Sequence, residues 1–181
     1  MCEKLNAEVL RFVVDDDEYE PCILELVEIL TSNIKIKENS QLKIVLENHD
    51  RFQVQDWIEI ISKVNAENVG ICLDTANSYG AGEGTAYVID QLAPFTFNMH
   101  IKDITINRID TKMGFDIRGA ISGNGVLNIP EIINKIEMTQ KCKSFILEQW
   151  VPFTDTFEKT IEKEMQWAIE SIKYLKQYEN N

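Results

Sequence analysis

The chain has 181 residues, of which 44% are hydrophobic and 27% are charged, a balance that excludes a disordered or low-complexity protein. Its 30 acidic and 18 basic residues leave a formal net charge of −12, which disfavours nucleic acid as a partner. Its apolar runs are too short for a membrane span, and its first residues lack the apolar core of a secretory signal. The four cysteines form no CxxC pair, which indicates reduced thiols and a cytoplasmic location.

Short β-rich runs alternate with longer helical patterns along the chain. The predicted strands are Val9–Val14, Leu42–Leu46, Val69–Leu73, Phe95–Ile101 and Ser144–Leu147. The predicted helices cover Pro21–Leu30, Val54–Ile61, Ala86–Leu92, Ile129–Ile136 and Asp155–Tyr178, the last opened by a capping pair of Asp155 and Glu158. This alternation predicts right-handed βαβ units, a parallel sheet and one α/β domain over residues 1–181. A doubly wound sheet and a (β/α) barrel both fit the pattern.

The polar, glycine-rich segment Thr105–Asn128 interrupts this alternation. Its length, its polarity and its glycines at positions 114, 119, 123 and 125 predict a long loop. Loops of this length inside a domain are usually functional.

Four of the predicted strands run directly into a side chain that can bind a metal ion. These side chains are Glu47, Asp74, His100 and Glu148. Parallel strands present their carboxyl ends on one rim, so the four are expected to converge. Three carboxylates on one rim repel each other, and a divalent cation removes this conflict. The donor set suits one Mn²⁺, Mg²⁺, Co²⁺ or Zn²⁺ ion, although a lone acidic residue after a strand is most often a cap or a surface charge, and a lone histidine there is more often structural than a ligand.

Five segments resemble, in chain order, the core of the xylose isomerase-like TIM barrel family. They are LENHDRF, VGICLDTANSYG, MHIKDI, MGFDIRGAISGNGVLNIPEII and FILEQW. The resemblance implies that Glu47, Asp74, His100 and Glu148 are the metal ligands, on the fourth, fifth, sixth and eighth strands of a barrel. The long separation of His100 and Glu148 then corresponds to two βα units.

A complete (β/α)₈ barrel takes about 250 residues, so the resemblance implies an incomplete TIM-type barrel. The chain is expected to begin near the third strand, without the first two βα units. Val9–Val14 and Ser144–Leu147 would then be open edges, which a second subunit of a homo-oligomer or a swapped segment is expected to cover, unless the chain is a fragment.

The resemblance also implies an isomerase or epimerase of a sugar or sugar phosphate. Glu47 and Glu148 would move protons on opposite faces of the substrate, through an enediolate whose oxygen the metal holds. Asn77 stands where the family often has a histidine, and an amide cannot shuttle a proton. The expected substrate-binding residues are His49, Asn77, Lys102, Arg118 and Trp150. Arg11 is a further candidate, and His49 is expected to hydrogen-bond near the site rather than to bind the metal.

Three other functions stay open. A lyase of the same family, acting on a polyol or a cyclic hydroxy-acid, shares the ligands and the early chemistry. A truncated, non-catalytic barrel used for binding explains the short chain. A DNA repair enzyme of the endonuclease IV type is disfavoured, because the chain has two histidines and a net negative charge.

Overall fold

Five parallel strands form the centre of the computed structural model, which describes residues 2–34 and 42–178. In sheet order they are β1 (Val9–Phe12), β2 (Lys43–Glu47), β3 (Val69–Asp74), β4 (Thr96–Ile101) and β7 (Ser144–Leu147). Every neighbouring pair is parallel. Because the spatial order follows the chain without a reversal, the sheet curls as part of a barrel and not as a doubly wound sheet. The predicted incomplete (β/α) barrel is thereby confirmed.

Within the described ranges, five α-helices accompany the sheet. They are α1 (Ile23–Ile34), α2 (Val54–Val64), α3 (Thr85–Leu92), α4 (Ile129–Met138) and α5 (Phe157–Leu175). Short 3₁₀ turns lie at Cys2–Leu5, Asn77–Tyr79, Ala93–Phe95 and Lys176–Tyr178. None of the helices in the described ranges is both long and apolar enough to cross a membrane.

The hydrophobic core lies between the outer face of the sheet and helices α1 to α4. Leu46, Ile71 and Met99 on the strands and Trp57 and Ile89 on the helices belong to one buried cluster. Helix α2 buries Val54, Trp57, Ile60, Ile61 and Val64, a spacing that places them on one helical stripe. Burial of each large apolar side chain contributes about 1.5 to 3 kcal/mol. This core fixes the strands and therefore the position of the residues at their carboxyl ends.

The segment Thr105–Asn128 is not the long loop that the sequence predicted. Strands β5 (Asp103–Arg108) and β6 (Phe115–Ala120) pair antiparallel in a separate two-stranded sheet. Apolar and polar residues do alternate in both strands, but charged residues and glycines conceal this period.

The hairpin also explains why His100 and Glu148 are far apart in the sequence, a separation that was predicted to contain two βα units. The chain leaves β4, makes the hairpin and helix α4, and returns as β7 directly beside β4. The separation is therefore a hairpin plus one βα unit, and not two βα units. The four candidate ligands consequently lie on four adjacent strands.

Helix α5 begins with a cap other than the predicted one, and most of its apolar residues are exposed. Thr156 is the N-cap residue, because its side chain accepts the backbone N–H of Lys159. Asp155 pairs instead with Lys159 Nζ at 2.6 Å. Of the described α5 residues only Ser171 is buried, and the apolar residues Ile161, Met165 and Ile172 are exposed.

Candidate metal centre

Four side chains that can bind a metal converge at the carboxyl ends of β2, β3, β4 and β7. One ligand atom from each of Glu47, Asp74, His100 and Glu148 lies within 4.8 Å of the others. Asp74 and His100 are directly opposite each other in the β3–β4 register. Glu148 continues the β4–β7 ladder, because its backbone N–H donates to the carbonyl of Ile101. The parallel strand order thus brings together residues that are far apart in the chain.

The imidazole of His100 stands between two carboxylates. Its Nδ1 lies 2.6 Å from Glu148 Oε2 and 3.6 Å from Glu47 Oε1. It is buried and makes no hydrogen bond of suitable direction among the described residues. Burial lowers the pKa of His100, but Cys72, Glu148 and Glu47 outweigh that effect and raise it to about 11. Without a metal, this nitrogen therefore carries a proton at neutral pH.

The two oxygens of Asp74 have different roles. Oδ1 accepts the backbone N–H groups of Ala76 and Asn77 at 2.8 and 2.9 Å, so it caps the turn that follows β3. Oδ2 is buried without a directional hydrogen bond, although Lys102 Nζ lies 3.1 Å away. Burial raises the pKa of Asp74, while the charge of Lys102 opposes the rise. The capping role and a ligand role are therefore compatible, because each uses one oxygen.

Glu47 is buried at the end of β2 and is held by three polar neighbours. Arg11 donates to its Oε2 through Nη1, and the amide of Asn77 donates to Oε1 at 3.1 Å. Burial alone would raise the pKa of Glu47, but His100 and Arg11 lower it below its usual value. The carboxylate is therefore ionised at neutral pH and has a defined orientation.

The buried ammonium group of Lys102 connects two of the candidate ligands. Its Nζ lies 3.1 Å from Asp74 Oδ2, 3.0 Å from Glu148 Oε1 and 3.1 Å from Asn77 Oδ1. It also stands 4.3 Å from the centre of the Trp150 ring, a cation–π distance. Contact with His100, followed by the charge of Lys102, outweighs burial and lowers the pKa of Glu148 to about 2.

The donor set fits a divalent cation. His100 Nδ1 and Asp74 Oδ2 are buried polar atoms that have no well-directed hydrogen-bond partner in the described part of the chain. Two glutamates that are ionised at neutral pH complete a group of three carboxylates and one imidazole. A cation that replaces the proton of His100 would satisfy these atoms together.

Two predicted substrate-binding residues lie outside this group. The His49 side chain is 42% exposed and has Asp50 as its ionic neighbour at 3.5 Å. Arg118 is on β6, is 65% exposed and pairs with Asp116. Asn77, Lys102 and Trp150, in contrast, are placed at the four-residue group, and Arg11 reaches it through Glu47.

Two residues that the sequence did not single out organise the site. The Asn48 side chain donates to the carbonyl of Asp74 at 3.0 Å and accepts its N–H, so it links the ends of β2 and β3. Asp103 is buried and accepts backbone N–H groups from Ile104, Gly123, Gly125 and Leu127. A Cβ at Gly125 would lie 2.0 Å from Asp103 Oδ1, so this approach requires glycine. The acidic residue before a glycine-rich segment was the signal available for Asp103.

Cys72 lies beneath the four-residue group. It is one of three residues, with Glu47 and His100, whose ligand atoms cluster within 4.8 Å. Its thiol contacts Asn98 Oδ1 at 3.0 Å, and burial raises its pKa. All four cysteines of the chain are free thiols.

A parallel barrel sheet with its polar cluster at the carboxyl ends of the strands defines the class of (β/α) barrel proteins. The chain belongs to the xylose isomerase-like TIM barrel family, because the model of that family matches residues 1–178. Proteins of this family include epimerases and a decarboxylase.

Three known proteins are similar to this chain in sequence or in fold. The 3-oxo-isoapionate decarboxylase of Pectobacterium atrosepticum is 26% identical over 97% of this chain, which spans 64% of the decarboxylase. The crystal structure of D-psicose 3-epimerase from Clostridium cellulolyticum H10 with D-tagatose superposes with a TM-score of 0.69, at 17% identity, over 98% of this chain and 65% of the epimerase. A xylose isomerase-like TIM barrel protein from Mycobacterium smegmatis in complex with magnesium has a TM-score of 0.62, at 15% identity, over 91% and 55% of the two chains. The chain therefore spans less than two thirds of the length of each of these three proteins.

Proposed function

We propose that this protein is a divalent-metal-dependent isomerase or epimerase of a sugar or sugar phosphate. The observation that carries the proposal is the convergence of Glu47, Asp74, His100 and Glu148, from four adjacent strands, to within 4.8 Å. These residues would hold one divalent cation, and Mn²⁺, Mg²⁺, Co²⁺ and Zn²⁺ all suit the donor set. When bound, such a cation supplies Lewis-acid polarisation of a substrate carbonyl.

The chain's own residues suit proton transfer beside a carbonyl. Glu47 and Glu148 come from β2 and β7, the outer two of the four ligand-bearing strands, so they flank the group. Both are ionised at neutral pH, as a general base requires. Arg11 and Asn77 hold Glu47, and Lys102 holds Glu148. In this proposal one glutamate removes the proton next to the carbonyl and one returns a proton, while Asn77 and Trp150 contact the substrate.

A lyase is the second candidate, and one comparison favours it. A decarboxylase named for a 3-oxo acid is 26% identical to the chain over 97% of its length. In such a reaction the C–C bond to the carboxylate breaks, its electron pair passes to the 3-oxo group, and carbon dioxide leaves. Water then gives a proton to the carbon that lost the carboxylate, and the hydroxide that remains combines with the carbon dioxide as bicarbonate. The ionised Glu47 or Glu148 can accept a hydrogen bond from that water and so position it, which means that the same residues fit either reaction.

The assembly and location of the protein belong to the same proposal. Strands β1 and β7 are the two edges of the described sheet, and a second copy of the chain would cover their unpaired backbone groups. The four free cysteines are compatible with a reducing cytoplasm. The acidic net charge favours a small-molecule substrate over nucleic acid.

The decisive experiment measures metal content and product together. The purified chain would be loaded with each of the four metals, its bound metal quantified, and its products from a panel of ketoses, sugar phosphates and 3-oxo sugar acids identified. Glu148→Gln and His100→Asn should lose stoichiometric metal and turnover, whereas the exposed Glu131→Gln control should keep both.

Each result has a defined meaning. An epimerised or isomerised sugar supports the first candidate, and release of carbon dioxide supports the lyase. Stoichiometric metal without turnover of any substrate indicates a non-catalytic truncated barrel. Failure of the wild-type chain to bind any of the metals overturns the proposal.

A further inference from the structure

With one divalent cation bound, the positive charges at the candidate metal centre outnumber the negative charges of its carboxylates. Its three carboxylates are accompanied by the ammonium of Lys102 and the guanidinium of Arg11. With His100 neutral as a ligand and one divalent cation in place, the group has one net positive charge. Because most of these side chains are buried, solvent screens that charge only weakly. A neutral sugar would leave the excess charge uncompensated.

Lys102 has no free N–H donor with which to bind a substrate anion. Its ammonium has three N–H donors, and they face Asp74, Glu148 and Asn77. The ring of Trp150 lies against the same group, and Lys102 is 1% exposed. Its donors are therefore committed to the polar network of the protein.

Arg11, in contrast to Lys102, has N–H donors that are available to a ligand. Its side chain is 44% exposed, and its described contact is a single ion pair from Nη1 to Glu47 Oε2. A guanidinium has five N–H donors in a planar fork, so several of them have no partner among the described residues. One side of the Arg11 guanidinium is therefore held by its ion pair with a candidate metal ligand, and its free side is open to solvent.

The strand register places Arg11 on the face of the sheet that carries the site. It lies opposite Val45 in the parallel β1–β2 pair. Val45 is two residues before Glu47, so the two side chains share one face of β2. The free side of the Arg11 guanidinium is therefore adjacent to the candidate metal centre at the open edge of the sheet.

We propose that Arg11 binds an anionic group of the substrate beside the metal, and that the substrate is an acidic sugar derivative rather than a neutral sugar. This inference rests on the proposed function and deepens it. A carboxylate and a phosphate share the planar pattern of acceptor oxygens that matches a guanidinium fork. The carboxylate of a sugar acid and the phosphate of a sugar phosphate are separate arms of the test.

The test is calorimetric titration of the full chain loaded with Mn²⁺, using matched ligands. D-gluconate is compared with D-sorbitol, D-xylonate with xylitol, and sorbitol 6-phosphate with sorbitol. One anionic series should bind at least about tenfold more tightly than its neutral partner, because hydrogen bonds between ionised groups are stronger than those between neutral ones. Arg11→Met should remove most of this preference, and Arg11→Lys should keep part of it, since an ammonium retains the charge without the fork. The exposed Arg108→Met variant is the matched control and should keep the preference.

The outcomes separate this inference from the proposed function. Preference for the carboxylate or for the phosphate, lost in Arg11→Met while Mn²⁺ affinity persists, supports the anion site and identifies its ligand. Mn²⁺ binding by the wild type with equal affinity for acids and polyols overturns the role of Arg11 and leaves the metal centre standing. Absence of Mn²⁺ binding by the wild type overturns both.

Discussion

His100 Nδ1 lies 2.6 Å from Glu148 Oε2, and this pair joins the carboxyl ends of the neighbouring strands β4 and β7. The pairing changes the acidity of both groups. It contributes to raising the pKa of His100 to about 11, against the opposing effect of burial, and to lowering that of Glu148 to about 2. In the metal-free protein the two side chains therefore form an ion pair at the place where a metal would bind.

This pair makes the stability of the metal-free protein depend on pH. The pKa of His100 rises from 6.5 in the unfolded chain to about 11 on folding, so its contribution is complete below pH 6.5 and is lost as the pH rises toward 11. Urea unfolding with EDTA should show a wild-type advantage over His100→Asn that shrinks steadily from pH 6 to pH 10. An advantage that stays constant over this range would contradict the assignment.

Glu148 gives the opposite dependence. Its pKa falls from 4.5 to about 2 on folding, so its contribution is present above pH 4.5 and is lost as the pH falls toward 2. Glu148→Gln should therefore differ from the wild type most above pH 4.5 and least near pH 2. Acid unfolding of the two proteins, followed by circular dichroism, checks this result, and Glu131→Gln on the exposed face of α4 is the control.

Metal binding should release a proton. His100 can bind a cation through Nδ1 only after it loses the proton that the neighbouring carboxylates stabilise. Titration with Mn²⁺ at pH 7.5 in two buffers of different ionisation enthalpy should reveal release of about one proton per metal bound. Equal heats in the two buffers would show that the imidazole is already neutral or does not bind the metal.

Removal of the Lys102 ammonium should destabilise the metal-free protein strongly. Lys102→Met leaves Asp74 buried without its cationic neighbour, and loss of one partner of a buried pair costs about 3 kcal/mol. Saturating Mn²⁺ should recover part of this loss, because the cation replaces the missing positive charge. Lys135→Met, which removes an exposed pair with Asp90, should have a much smaller effect in the same unfolding experiment.

Replacement of Asp103 should loosen the turn after the hairpin. In Asp103→Asn one acceptor oxygen becomes an NH₂ group, which cannot accept the N–H groups of Gly123 and Gly125. The free energy of unfolding should fall by about 2 kcal/mol, and these two amides should exchange hydrogen faster. Asp110→Asn in the exposed hairpin turn is the control, and equal exchange rates in both variants would argue against the role of Asp103.

The local pattern of the sequence located most of the barrel strands and the candidate ligands. Strands β2, β3 and β4 were recognisable because buried strands of a parallel sheet are runs of apolar, β-branched residues. The side chain that follows such a run lies at the carboxyl rim whatever the details of packing. Glu47, Asp74 and His100 could therefore be selected together before any coordinates were known.

The hydrogen-bond and ion-pair partners at the site could not be predicted from the sequence pattern in the same way. Lys102 is predicted to bind the substrate, but in the structure its ammonium contacts Asp74, Glu148 and Asn77. The predicted capping pair of α5 was wrong, because the side chain of Thr156 accepts the backbone N–H of Lys159 in the first turn. Such choices depend on which of several nearby groups the packing brings within hydrogen-bond distance.

By itself, the sequence determined the alternation of strands and helices and the identity of the side chain at the end of each barrel strand, because both follow from short-range periodicity. Only the tertiary structure decided that β7 pairs directly with β4 and that residues 103–120 form a hairpin outside the barrel sheet. It also decided that Arg11 reaches Glu47 while His49 and Arg118 do not join the group. These relationships join segments far apart in the chain, and their geometry is set by how the whole sheet closes around its core.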